Sequence, residues 1–118
     1  MIQKDNKMNR ELPEEIKQIL EEVKKLFVEI YGDSLKEVIL YGSYARGDYT
    51  EGSDIDLIIL LDNVNETILS EREYYSKLIW EIDLRYDVVI SVLPMSEEIY
   101  RTRQWPVILN ARREGVCI

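Results

Sequence analysis

Gly42-Ser43-Tyr44-Ala45-Arg46-Gly47-Asp48-Tyr49-Thr50-Glu51-Gly52-Ser53-Asp54-Ile55-Asp56-Leu57 is the stretch on which the reading of this chain turns. It begins where the apolar run Val38-Ile39-Leu40-Tyr41 ends and passes directly into another, Leu57-Ile58-Ile59-Leu60-Leu61. Both runs have the length and content of buried strands. Asp54 and Asp56 stand two apart, so on a strand they project from one face. Adjacent carboxylates raise one another's pKa unless a cation lies between them. Magnesium suits such a pair, because it takes hard oxygen ligands from one or two carboxylates and from bound phosphates. Alone, Asp-x-Asp is equally well a solvated strand start, with Gly52-Ser53-Asp54 as a turn.

Gly42-Ser43 shifts that balance. A glycine directly after a buried strand lets backbone approach a bulky ligand. If Ser43 opens a short helix, its N–H and hydroxyl are placed to hold phosphate oxygens. Arg46 adds a cation one turn later, or forms a plain surface salt bridge, and Gly47 ends the turn. The stretch is therefore read as the seat of a metal-bound nucleoside triphosphate, against the alternative of an ordinary hairpin or helix cap. A third acid on a neighbouring strand would complete a two-metal site. Asp87 opens the next apolar run in the analogous position and is preferred to Asp83, which falls in a helical stretch.

Outward from this centre, residues 1–11 are polar and expected to fray. Pro13, Glu14 and Glu15 suit a helix start, followed by the one-faced series Ile16, Ile19, Leu20, Val23, Phe27 and Ile30. Gly32 is a helix stop. After the second strand, closed by Asp62-Asn63-Val64-Asn65, helical spacing returns from Glu66 to about Arg85. Its expected inner stripe is Ile68, Leu69, Tyr75, Leu78, Ile79 and Ile82, with Tyr74 and Trp80 as packing aromatics. A third strand is expected over Tyr86–Leu93, ended by Pro94. Ser96-Glu97-Glu98 caps a short helix to about Thr102. Pro106 starts a last helix that Gly115 terminates, with Trp105 anchoring it and Arg112-Arg113 at its negative end. The fold class expected is α/β, a mixed three- to four-stranded sheet flanked by helices, as one domain over residues 1–118.

Composition narrows the chemistry. The absence of histidine removes His-based acid–base catalysis and most zinc sites, and the lone Cys117 allows no internal disulfide. The longest apolar run is too short for a bilayer and no export signal is seen, so a cytoplasmic protein without a membrane partner is expected. A net charge of −8 argues against direct nucleic-acid binding.

Gly42-Ser43, ten residues, then Asp54-Ile55-Asp56 resembles the GSx10DxD signature of the minimal nucleotidyltransferases, in the DNA polymerase beta-like superfamily. The resemblance covers nearly the whole chain. It implies transfer of a nucleoside monophosphate from an NTP to a hydroxyl, with release of pyrophosphate. It implies nucleotide-binding by Gly42, Ser43 and Arg46, and catalysis with two Mg2+ ions held by Asp54, Asp56 and Asp87. Larger relatives carry a further domain that forms the acceptor pocket. Short ones resemble the antitoxin of HEPN/MNT toxin–antitoxin pairs, which implies ATP as substrate, a HEPN-type ribonuclease as protein partner, a tyrosine as acceptor and a homo- or hetero-oligomer. Two alternatives stay open: an antitoxin acting by binding alone, and a small-molecule nucleotidyltransferase that builds its pocket as a homodimer.

Overall fold

The computed structural model describes residues 12–62 and 68–118, the side chains of 68–71 excepted. The expectations for residues 1–11, for the turn at Asn63-Val64-Asn65 and for the side chains of Ile68 and Leu69 lie outside the described residues. The chain begins with helix α1 (Glu14–Tyr31), and its buried stripe is Ile16, Ile19, Leu20, Val23 and Phe27. Gly32, at φ +56°, closes α1 through its N–H to the Val28 carbonyl and opens a short 3-10 turn. Then follow β1 (Leu35–Tyr41), α2 (Ser43–Arg46), β2 (Ile55–Leu61), α3 (Ile68–Tyr86), β3 (Ile90–Ser96), α4 (Glu97–Thr102), α5 (Pro106–Glu114) and β4 (Val116–Cys117).

The four strands form one mixed sheet in the order β3-β2-β1-β4. β1 runs antiparallel to both β2 and β4, while β2 and β3 are parallel and joined through α3. Helices cover both faces. Val38, Leu40, Leu57, Ile59 and Leu61 pack against α1 and α3; Ile39, Ile58 and Leu60 pack against Tyr100, Ile108 and Ala111 of α4 and α5. Burial on both sides is why β2 reads as an unbroken apolar run and not as an alternation. Such a strand holds whatever sits at its end with little freedom, which matters for the acids at its start.

Three expectations need correction, and one gains a detail. β3 begins at Ile90, not Tyr86, because Asp87 takes φ +56° and turns the chain first. The strand continues through Pro94 to Ser96, since β3 lies at the sheet edge, where a residue without an N–H breaks no ladder. The Ile90 N–H is taken by Asp83 Oδ1 at 3.1 Å. On α3, Tyr75, Ile79 and Ile82 are buried as expected, but Leu78, Tyr74 and Trp80 stand exposed, and Trp105 before α5 is 45% exposed. Finally, Gly115 does end α5, yet the chain then adds β4 beside Ile39 and Leu40. A Cβ at Gly115 would stand 2.5 Å from the Ala111 carbonyl oxygen and 2.8 Å from Ile39 Cγ2, so this tight return from helix to sheet requires glycine.

The short helices follow their local chemistry. Ser96 Oγ accepts the Ile99 N–H at 3.1 Å, as an N-cap should. Arg112 donates to the Tyr100 carbonyl and lies over the Tyr100 ring, which ties α5 to α4. Arg113 donates to Asn110 Oδ1 one turn back. Among the described residues, no helix is long and apolar enough to cross a membrane.

Candidate active site

β1 ends at Tyr41, which pairs with Asp56 across the antiparallel ladder. The next residue, Gly42, has φ +80° and ψ −157°, a region that only glycine occupies readily. A Cβ on it would lie 2.3 Å from Asp56 Oδ2. The same glycine therefore makes the turn and clears the space in which the Asp56 carboxylate sits. Its carbonyl accepts the Ala45 and Arg46 N–H groups at 3.0 Å, and Gly47, left-handed at φ +93°, closes the turn on the Ser43 carbonyl at 2.9 Å. The N–H groups of Ser43 and Tyr44 have no acceptor within so short a helix and point ahead of it.

The segment between α2 and β2 is held locally. Tyr44 and Tyr49 stack on each other with ring centroids 4.6 Å apart. The Thr50 N–H reaches Ser53 Oγ at 2.8 Å while the Ser53 N–H reaches the Thr50 carbonyl at 3.0 Å. This closed loop delivers Asp54, exposed, and Asp56, half-buried, to the start of β2. Burial first, then the Asp54 charge and that of Glu114, hold the Asp56 carboxyl above its ordinary range, against the opposing pull of Arg46. Tyr41 beside it is raised by burial and by the Asp56 charge.

A cleft of about 400 Å³ opens over these residues, lined by Tyr41, Gly42, Ser43, Arg46, Asp54 and Asp56. Five of the predicted site residues thus share one cavity. α5 supplies the far wall with Asn110 and Glu114. Neither of these cleft residues was marked in the sequence, and only Gly115 after Glu114 hinted that this helix end was constrained. Glu114 Oε2 accepts the Gly42 N–H at 3.0 Å and Arg46 Nη1 at 3.1 Å, with the side chain 12% exposed. Arg46 also gives Nε to both Asp48 oxygens at 3.2 Å, so the salt-bridge reading of this residue describes its contacts, although it faces the cleft.

The two candidates for a third acid are placed differently. Asp87 is exposed in the left-handed turn before β3 and does not line the cleft; the position beside Asp56 in the parallel ladder is Ser91. Asp83 is half-buried, its carboxyl raised by burial and by Asp54 and lowered by the Ile90 N–H. Asp83 lines a separate hollow of about 360 Å³ with Trp80 and Ser91.

The donor set fits magnesium, since Asp54 and Asp56 offer hard oxygens whose mutual repulsion a cation relieves. Among the described residues no group of three or more His, Cys, Asp or Glu converges on a single point. Asp54 and Asp56 are thus the two carboxylates of this cleft that stand together at the start of β2.

A Gly-Ser turn joined to a strand-borne acid pair on a mixed sheet is the arrangement that the sequence motif led us to expect. The chain belongs to the nucleotidyltransferase domain family, whose profile matches residues 16–115. A relative from Methanocaldococcus jannaschii, provisionally named a protein adenylyltransferase, is 40% identical over 86 residues, 72% of this chain and 79% of its own. Among solved structures, a toxin–antitoxin with AMP-PNP superposes at a TM-score of 0.58 and 18% identity, over 82% of this chain and 69% of its own. The MNT antitoxin complex of a tri-AMPylated Shewanella oneidensis HEPN toxin gives 0.55 and 16%, over 86% and 69%. At such identity the two structures speak to the fold.

Proposed function

We infer that this protein is a magnesium-dependent adenylyltransferase of the cytoplasm that moves AMP from ATP to a tyrosine hydroxyl of a HEPN-type ribonuclease and thereby acts as its antitoxin. One observation carries the reading: Gly42 and Asp56 share a space that a single Cβ would fill, so the phosphate turn and the acid pair form one cleft. The name of the relative supports protein as the acceptor class, and the shared fold supports a toxin as partner.

In this reading Ser43 holds β- and γ-phosphate oxygens with its hydroxyl and N–H, and the Tyr44 N–H adds a second backbone donor. Asp54 and Asp56 hold the metal, which neutralises charge on the triphosphate and on the departing pyrophosphate when bound. The acceptor oxygen bonds to the α-phosphorus as the α–β phosphoanhydride bond breaks, and pyrophosphate carries the electron pair away. The resemblance gives the acceptor's proton to Asp87, an assignment resting on the resemblance alone.

The test is intact-mass analysis of a HEPN-type toxin incubated with this protein, ATP and magnesium. Addition of AMP to the toxin, lost in Asp54→Asn and Asp56→Asn, is expected. A stable complex with unchanged toxin mass would replace the proposal with neutralisation by binding. Asp87→Asn in the same assay tests the third acid.

A further inference from the structure

Glu114 is the last residue of α5, far in sequence from the motif, yet it holds the motif's backbone. The Gly42 N–H belongs to the turn that the nucleotide's phosphates must approach, and Arg46 is the cation facing the same cleft. Both donate to one oxygen of one largely buried carboxylate, an arrangement a phosphate oxygen would otherwise receive. The cleft thus faces three carboxylates, Asp54, Asp56 and Glu114, against one guanidinium already shared with Asp48. In the reading above, a bound metal would neutralise the acid pair. Glu114 has only the Gly42 N–H and the Arg46 guanidinium, which it shares with Asp48, to offset its charge among the described residues.

We propose that Glu114 is a positioning residue of the phosphate turn: an internal anion that keeps Gly42 and Arg46 aligned in the empty enzyme and yields them to the incoming triphosphate. The inference rests on the nucleotide reading above and adds to it the group that sets nucleotide affinity. A strut that merely braces α5 against the turn would help nucleotide bind. A surrogate anion costs affinity, because its contacts must be exchanged and its charge repels phosphate. Gln at this position separates the two roles, since its amide oxygen still accepts the Gly42 N–H while the charge is gone.

The experiment is calorimetric titration of the wild type, Glu114→Gln, Glu114→Ala and the doubly substituted Asp54→Asn, Asp56→Asn with magnesium and α,β-methylene-ATP, an analogue that cannot be cleaved at the reacting bond. Removing one like charge at this range is expected to tighten binding of the analogue to Glu114→Gln about tenfold. AMP, which lacks the phosphates that meet the turn, is expected to bind wild type and variant alike. In turnover, KM for ATP falls with kcat little changed. Should Glu114→Gln fail to fold, the wild-type Gly42 amide resonance supplies the readout: it shifts strongly on adding the analogue and stays in place with AMP. Equal or weaker binding by Glu114→Gln, or a Gly42 amide indifferent to the analogue, overturns the proposal while leaving the nucleotide reading intact. Wild-type binding that does not depend on Asp54 and Asp56, or no binding by any variant, overturns both.

Discussion

Gly42→Ala is the perturbation that tests the site most directly. Two separate costs are expected. The backbone, at φ +80° and ψ −157°, is one an L residue adopts at about 1–3 kcal/mol. The new methyl would also meet Asp56 Oδ2 at 2.3 Å, so the carboxylate must leave its rotamer, at about 0.5–1.5 kcal/mol. Gly52→Ala separates these terms, because Gly52 has φ +92° but nothing within 4 Å of its Cβ. Both substitutions share the modest gain from a stiffer unfolded chain. Gly42→Ala should therefore lose about 2–4 kcal/mol in urea unfolding, roughly 1 kcal/mol more than Gly52→Ala. That excess amounts to a few degrees in Tm for a domain of this size. In an Asp56→Ala background most of the excess should vanish, since Oδ2 and Cγ are gone and only Cβ, 3.3 Å from the new methyl, remains. An equal cost at both glycines, or an excess indifferent to Asp56, would refute the argument that phosphate turn and acid pair share one space.

The half-buried Asp56 carboxyl, raised by burial and its acidic neighbours, gives a pH signature. A raised carboxyl contributes stability that is full below the ordinary carboxylate range and lost as pH rises through its shifted value, so near neutrality the metal-free protein carries a penalty. Metal-free Asp56→Asn should then melt above the wild type at neutral pH, with the gap closing on acidification and magnesium stabilising only the wild type; a pH-independent gap sinks this account. Gly115→Ala meets the Ala111 carbonyl and Ile39 at an ordinary φ of −74°, so it should cost about 1–3 kcal/mol by crowding alone. Hydrogen exchange should quicken at β4 while the centre of the sheet stays protected, and uniform protection would contradict it.

The motif strands, α1, α2 and the closing Gly47 were legible because each is fixed by local chemistry: an apolar run, a helical stripe, a glycine where the chain must turn left-handed. What was missed depends on contacts distant in sequence. Glu114 has no local mark, and its role exists only because α5 packs where its last turn meets Gly42. β4 is two residues long, below the length at which periodicity speaks. The start of β3 was displaced by a left-handed aspartate, a conformation that sequence reasoning assigns to glycine first. Pro94 looked like a strand end because edge and centre cannot be told apart before the strand order is known. Tyr74, Leu78 and Trp80 on α3 stay 40–59% exposed, although hydrophobicity alone points them inward.

The outer side of β3 has a further consequence for how copies of this protein meet. An open sheet margin ordinarily invites a second chain to zip on amide by amide, the first step toward fibrils. Here the Ile90 amide is already spoken for by Asp83, and Pro94 has no amide to give. A stranger's strand would find its ladder missing rungs at both places. Concentrated stocks should accordingly remain dispersed, and Asp83→Ala joined to Pro94→Val should turn the same domain toward thioflavin-positive aggregation.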